Sequence, residues 1–291
     1  MIFDILKDIN TVDYTLEYIE TDNTLNNVPM RTYDFYIINW HPHTLAIPEY
    51  VLAKINGKKI AIVVEVSPTN YNPFTPEWFD GYAVIDPTKT RQGKYFPFPR
   101  PIIKTPTLPL LDKNKLTFGS FGLFSGSFKD EKRFYEVVEA ANATRRECIV
   151  RVNLPVATYT YTPMSDIVSY GAYLRRRAGN KVQVIVTHDY MGREQLIAWL
   201  SQHNMNCFPY YRNRPGLSAV TDQAVSAGRA IMTTECDTFR HLHQYIGHYP
   251  QESYLELMES TLGGVKQMQY DWSPEQFKMN FDSMLRELNI L

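Results

Sequence analysis

The chain is short of cysteine, of surplus charge and of long apolar runs, and each shortage narrows what it can be. Its 291 residues include three cysteines, Cys148, Cys207 and Cys236. They are widely spaced, odd in number and form no CxxC pair, which argues against a disulfide framework or a structural zinc site. The reading they favour is buried, small apolar side chains in strands, in a reducing compartment such as the cytoplasm. The 30 Lys and Arg are matched by 31 Asp and Glu, a net charge of -1. Proteins that grip many nucleic-acid phosphates carry a basic excess, so nucleic acid is disfavoured as a partner, although a local basic face stays open. No run approaches the roughly 20 apolar residues that cross a bilayer. The opening MIFDILKDINTVDYTLEYIE carries acids in every turn, unlike a signal peptide. The expectation is a cytoplasmic chain without a transmembrane segment.

What is present is enough for two cores. The hydrophobic fraction is 44% and the charged fraction 21%, an ordinary globular balance, and the length suits two domains. Residues 1–32 read as one or two helices and a polar stretch. YDFYIINW (33–40), KKIAIVVEVSP (58–68) and YAVIDP (82–87) read as buried strands, with a helix over 44–57 in whose first turn Pro48 must lie. Strands that are apolar without alternation, with a helix between, imply a parallel sheet covered on both faces. Residues 94–109 carry five prolines and read as an interdomain linker.

Beyond this linker a strand–helix rhythm restarts. Strands are expected at 115–122, 147–155, 181–188, 205–211 and 229–235. Helices are expected at 129–143, 165–179, 192–204, 216–228 and 239–247. In the tail (271–288), Ser273 is placed to cap a helix and Pro274 to open it. The expected fold class is α/β: two Rossmann-like doubly wound domains, the N-terminal one reduced. The expected boundaries are 1–108, 109–270 and a C-terminal helix, 271–291, packing back towards the first domain.

Ligands of doubly wound sheets bind beyond the carboxyl ends of the strands, so the loops there are the candidate sites. FGSFGLFSGSFKDEKRF (118–134) runs through Gly119, Gly122 and Gly126 towards Lys129, a phosphate-binding pattern that lacks a Walker motif or a complete GxGxxG and reads equally as a structural turn. In RNRPGLSAVTDQAVSAG (212–228), Arg212 and Arg214 precede Gly216, Leu217 and Ser218 at a helix start. Cations beside backbone donors suit a diphosphate, and Asp222 one turn on could accept ribose hydroxyls. The competing reading is a capped surface helix. His188, Asp189 and Tyr190 follow a strand and could line a base or sugar pocket. His41 and His43 follow the strand 33–40 and could act on a sugar hydroxyl; no carboxylate or cysteine cluster accompanies them, so no metal is assigned. The arginines 175–177 suit a helix C-terminus. His241, His243 and His248 lack the spacing of a helical metal site.

These segments together resemble GT-B glycosyltransferases, especially the large retaining group 1 family, over most of residues 33–291. The resemblance runs through YDFYIINWHPHTLAIPEYVLAKINGKKIAIVVEV, FDGYAVIDPT and KYFPFPRPI on the acceptor side. On the donor side it runs through LTFGSFG, NCFPYYRNRPGLSAVTDQAVSAGRAIMTT and a terminal Trp-Ser-Pro helix. FPYY…GLSAV…A.SAGRAI is its most specific part. It implies GT-B architecture, a nucleotide-diphosphate sugar as donor substrate, no cofactor, and transfer without a metal, with retention, to an acceptor that is a glycan, a protein or a modified base. By this resemblance Lys129 contacts the diphosphate and Gly216, Leu217 and Ser218 cradle it. Asp222 holds the ribose, and His41 or His43 faces the donor sugar. Leu123 stands where the family often has arginine, and Arg214 and Pro215 occupy the region of the first of its paired glutamates. That departure keeps a second reading open, a non-catalytic sugar-nucleotide or glycan-binding protein; a third reading, glycosylation of modified DNA bases, is disfavoured by the balanced charge.

Overall fold

The structure, a computed structural model, describes residues 14–20, 25, 33–40, 47–63, 77, 79–123, 133–156, 162–211 and 216–291. The chain divides into two compact units. The first comprises Met1–Pro101, Pro215–Leu217 and Trp272–Leu291, the second Ile102–Arg214 and Ser218–Asp271.

The first unit is built on four parallel strands, β1 (Phe35–Trp40), β2 (Lys58–Val63), β3 (Gly81–Val84) and β4 (Tyr95–Pro97), in the order β1-β2-β3-β4. A short helix, α1 (Glu49–Leu52), begins directly after Pro48, whose carbonyl accepts from Val51 and Leu52. Strand alternation splits the core in two. One face gathers Trp40, Ala61, Val63, Tyr82 and Val84 with Leu52 and Phe79. The other gathers Ile60, Ile62, Ala83, Ile85, Phe96 and Phe98 with Phe277, Phe281, Met284 and Leu285 of the final helix. The chain passes from the first unit to the second at Pro101–Ile102, inside the stretch 94–109 read as a linker, but the start of that stretch is β4. Proline bars a central strand, but Pro97 ends a three-residue edge strand where a missing N–H breaks no ladder.

The second unit holds five parallel strands: β5 (Leu116–Phe121), β6 (Cys148–Asn153), β7 (Val182–Thr187), β8 (Met205–Phe208) and β9 (Ala230–Thr233). Their order is β7-β6-β5-β8-β9. The chain adds strands outward on one side of β5, then returns to add β8 and β9 on the other. This makes the β5/β8 boundary the topological switch point. The helices are α2 (Tyr135–Ala143), α3 (Met164–Arg177), α4 (Arg193–Ser201), α5 (Val220–Ala227) and α6 (Tyr254–Asp271). Arg177, in the last turn of α3, lies over Tyr135 and Tyr173 and pairs with Glu139 of α2. α5 ends on Gly228 at φ +67, a left-handed position that favours glycine.

Two expectations in this unit are corrected. The helix expected over 239–247 is a 3-10 turn, Asp237–Phe239, followed by further tight turns with i+3 bonds, Leu242 to Phe239 and Tyr245 to Leu242, both 2.8 Å. The 18-residue α6 occupies a stretch for which the sequence suggested no element. The last helix, α7 (Pro274–Glu287), starts as read: the Ser273 side chain accepts from the Gln276 amide at 3.3 Å. All three cysteines are buried, and burial pushes the Cys207 thiol pKa well up.

Candidate functional site

The strand ends of the second unit carry the polar residues. β5 leaves through Gly122, at φ +157, whose amide donates to the Asn153 carbonyl at 3.2 Å. Asn153 closes β6 and is buried. Its Oδ1 accepts from the Asp189 amide at 3.0 Å and from Thr187 Oγ1 at 2.9 Å, and its Nδ2 donates to the Asp189 carbonyl at 2.9 Å. With three of its four hydrogen-bonding sites used, this amide fixes the loop after β7. In that loop His188 Nδ1 lies 3.2 Å from the Leu154 carbonyl. A carbonyl only accepts, so Nδ1 carries a proton, and in the neutral ring Nε2 is the acceptor. Tyr190 is 82% exposed, a bare aromatic face. Gly122, His188 and Tyr190 are thus linked through Asn153, which lies within the strand expected over 147–155 and is not among the candidate residues read from sequence.

At the switch point itself, β8 runs into Pro209, Tyr210 and Tyr211. The Tyr210 hydroxyl donates to the Phe121 carbonyl of β5 at 2.7 Å, tying the two strand ends. The Arg133 amide donates to the Pro209 carbonyl at 2.9 Å. The Arg133 guanidinium stacks on the Tyr211 ring, 4.1 Å from its centre, and lies 3.6 Å from Glu136 Oε1. The Tyr211 hydroxyl donates to Glu136 Oε2 at 2.8 Å. Burial lifts the Glu136 pKa above the usual carboxylate value against the lowering pull of Tyr211 and Arg133. None of these three was singled out from sequence: Arg133 hides in the charge run KDEKRF.

At the start of α5, the Ser218 amide donates to the Thr238 carbonyl at 3.1 Å, and the Ser218 carbonyl accepts from Thr221 Oγ1 at 2.9 Å. Asp222 is 4% exposed, and its Oδ1 lies 4.0 Å from Nε2 of the buried His241, which also lies 3.2 Å from Thr221 Oγ1. The carboxylate expected to meet a ribose is thus turned inward. Its neighbour Gln223 has a buried Oε1 with no hydrogen-bond partner, and this acceptor was not anticipated. Gly216 and Leu217 are half-buried and group with the first unit. His41, His43, Lys129, Arg212 and Arg214 lie outside the described residues. Among the described residues no group of three or more His, Cys, Asp or Glu could hold a metal ion, and no helix is long and apolar enough to cross a membrane.

Neither protein-family models nor curated protein sequences match the chain. Solved structures do. The pneumococcal O-GlcNAc transferase GtfA, in complex with UDP and GlcNAc, aligns at 11% identity and a TM-score of 0.60, over 91% of this chain and 59% of its own. A trehalose-6-phosphate synthase, studied as a retaining glycosyltransferase, aligns at 12% identity and 0.60, over 91% and 77%. Anabaena HepE, in complex with UDP and glucose, aligns at 8% identity and 0.53, over 88% and 78%. At such identities it is the path of the backbone that is shared. With its two parallel sheets and a switch point in the second, the chain has the GT-B glycosyltransferase fold.

Proposed function

We propose that the protein transfers a sugar from a nucleotide-diphosphate sugar to an acceptor, with the donor held at the carboxyl edge of the five-stranded sheet. The observation that carries this reading is the polar architecture at the β5/β8 switch point, on a fold whose solved neighbours include complexes with UDP and a sugar. In this reading Lys129, Arg212 and Arg214 face the diphosphate, Gly122, Gly216 and Leu217 let it approach the backbone closely, and the Ser218 hydroxyl is its donor. Tyr190 stacks on the base or sugar, and His188 Nε2 accepts from a hydroxyl. Gln223 Oε1, a buried acceptor in want of a donor, takes the ribose-binding part expected of Asp222, and Asp222 braces the helix start through His241. Stabilising the leaving diphosphate supplies most of the rate, with retention of configuration and without a metal.

A second reading, sugar-nucleotide binding without transfer, is favoured by one feature of the sequence: Arg214 and Pro215 stand in the region of the first of the paired glutamates. One set of measurements separates the two. A nucleoside diphosphate from a panel of UDP, GDP, ADP, CDP and TDP raises the melting temperature in either case. Only a transferase releases that diphosphate catalytically from the matching sugar nucleotide. Lys129→Ala or Arg212→Ala lowers affinity or rate about tenfold to a hundredfold, the size of one charge-assisted contact. Silence across the panel removes both readings.

A further inference from the structure

We infer that Arg133 is an additional diphosphate-binding residue of this donor site, and that Glu136 and Tyr211 are the positioning residues that aim it. The inference rests on the donor reading above, but on residues that lie inside the quoted segments without belonging to the expected phosphate-binding set.

Three contacts fix Arg133, and a fourth braces the ring beneath it. Its amide is held by the Pro209 carbonyl (2.9 Å), so its Cα sits just past the end of β8. Its guanidinium lies over the Tyr211 ring, 4.1 Å from its centre, and one nitrogen lies 3.6 Å from Glu136 Oε1. Tyr211, in turn, is held by its hydroxyl bond to Glu136 Oε2 (2.8 Å). One carboxylate therefore serves both the cation and the ring beneath it. A guanidinium has five N–H donors in a rigid plane; at 3.6 Å, Glu136 is a loose partner that leaves most of them open. The Arg133 side chain is 43% exposed, whereas that of Glu136 is 11% exposed. The negative partner is thus tucked into the fold and the positive one faces outward.

The place of the cluster gives this arrangement its meaning. Tyr210 ties the end of β8 to the end of β5, and Arg133 and Tyr211 stand beside that tie, at the crevice where doubly wound sheets bind ligands. A salt bridge kept only for stability gains little at an exposed site. Stacking on an aromatic ring holds an arginine in one pose without satisfying its donors, which suits planar, bidentate contact with phosphate oxygens.

The test uses the full chain and the nucleoside diphosphate of the panel that the wild type binds tightest, beside its own nucleoside, which lacks the phosphates. Arg133→Ala should weaken the diphosphate about tenfold to a hundredfold and the nucleoside less than about twofold, within the error of such additivity. Arg133→Lys keeps the charge but loses the stacking and the fork, and should recover only part of the loss. Tyr211→Phe and Glu136→Gln should each give a smaller loss confined to the diphosphate. An Arg133→Ala protein that binds the diphosphate like wild type overturns the inference. So does one that loses nucleoside and diphosphate equally, for Arg133 is then a structural prop. A wild type that binds no diphosphate at all is a different failure, since it removes the donor reading on which the inference stands.

Discussion

His203 shows how much one residue can demand of its surroundings. It is fully buried, its Nδ1 donates to Asn206 Oδ1 at 3.2 Å, and its ring lies 4.4 Å from that of Trp199. A Cβ at Gly119 of β5 would fall 2.2 Å from Nδ1, so the strand carries glycine where the imidazole presses against it. Burial, together with the charges of Arg151 and Arg229, pushes the His203 pKa down to about 3. In the unfolded chain the ring takes up a proton near the ordinary value of 6.5. Between those two values the unfolded state binds the extra proton, so this residue's contribution to stability is complete above pH ~6.5 and declines as the pH falls towards ~3. The slope is about 1.4 kcal/mol per pH unit. His203→Gln should flatten the acid side of the stability curve by about that slope. Urea midpoints for both proteins at several values between neutral pH and the acid range check it; parallel curves would show that His203 does not titrate between the two states.

Elements were legible where strand propensity and turn residues agreed, and obscured where a tertiary contact overrode them. KLTFGSFG, ECIVRVNLP and KVQVIVTH became β5, β6 and β7 within a residue or two of their expected ends. α6 escaped because Gly263 and Gly264 sit in its middle, where each glycine costs about 1 kcal/mol against alanine. Gly264 is there for closeness: a Cβ would fall 2.1 Å from the Tyr245 carbonyl oxygen. The expected helix over 239–247 gave way to tight turns that bring His241 in beside Thr221 and Asp222. The candidate site was legible only as strand ends. Its supporting groups, Asn153, Glu136 and Tyr211, gain their meaning from partners 36, 75 and 75 positions away, which no local pattern displays. α7 offers a test at this scale. Phe281→Ala should cost about 3–5 kcal/mol, because it empties a fully buried site between helix and sheet. Ser273→Ala removes one capping bond and should cost about 1 kcal/mol. Denaturant unfolding reads both, and equal effects would contradict the assignment of α7 as a core element.

At the scale of the whole molecule, the two units differ in how the chain supplies them. The second is one stretch, 102–271, apart from the three residues Pro215–Leu217 that group with the first. The first is split: its sheet comes from the N-terminal hundred residues, but the helix that covers one face of that sheet comes from the end of the chain. Without α7, the face made by Ile60, Ile62, Phe96 and Phe98 loses Phe277, Phe281, Met284 and Leu285 as neighbours. At roughly 1.5–3 kcal/mol for each large apolar side chain buried, that is most of what holds a small unit folded. Fragment 102–271 should therefore unfold cooperatively on its own, with an ordered aromatic signal in the near ultraviolet. Fragment 1–101 should remain unfolded until a peptide of residues 272–291 is added. The mixture should then gain that signal with a one-to-one stoichiometry, since the peptide supplies the missing half of a single core. If 1–101 folds cooperatively alone and ignores the peptide, α7 is an accessory to the sheet rather than part of its core.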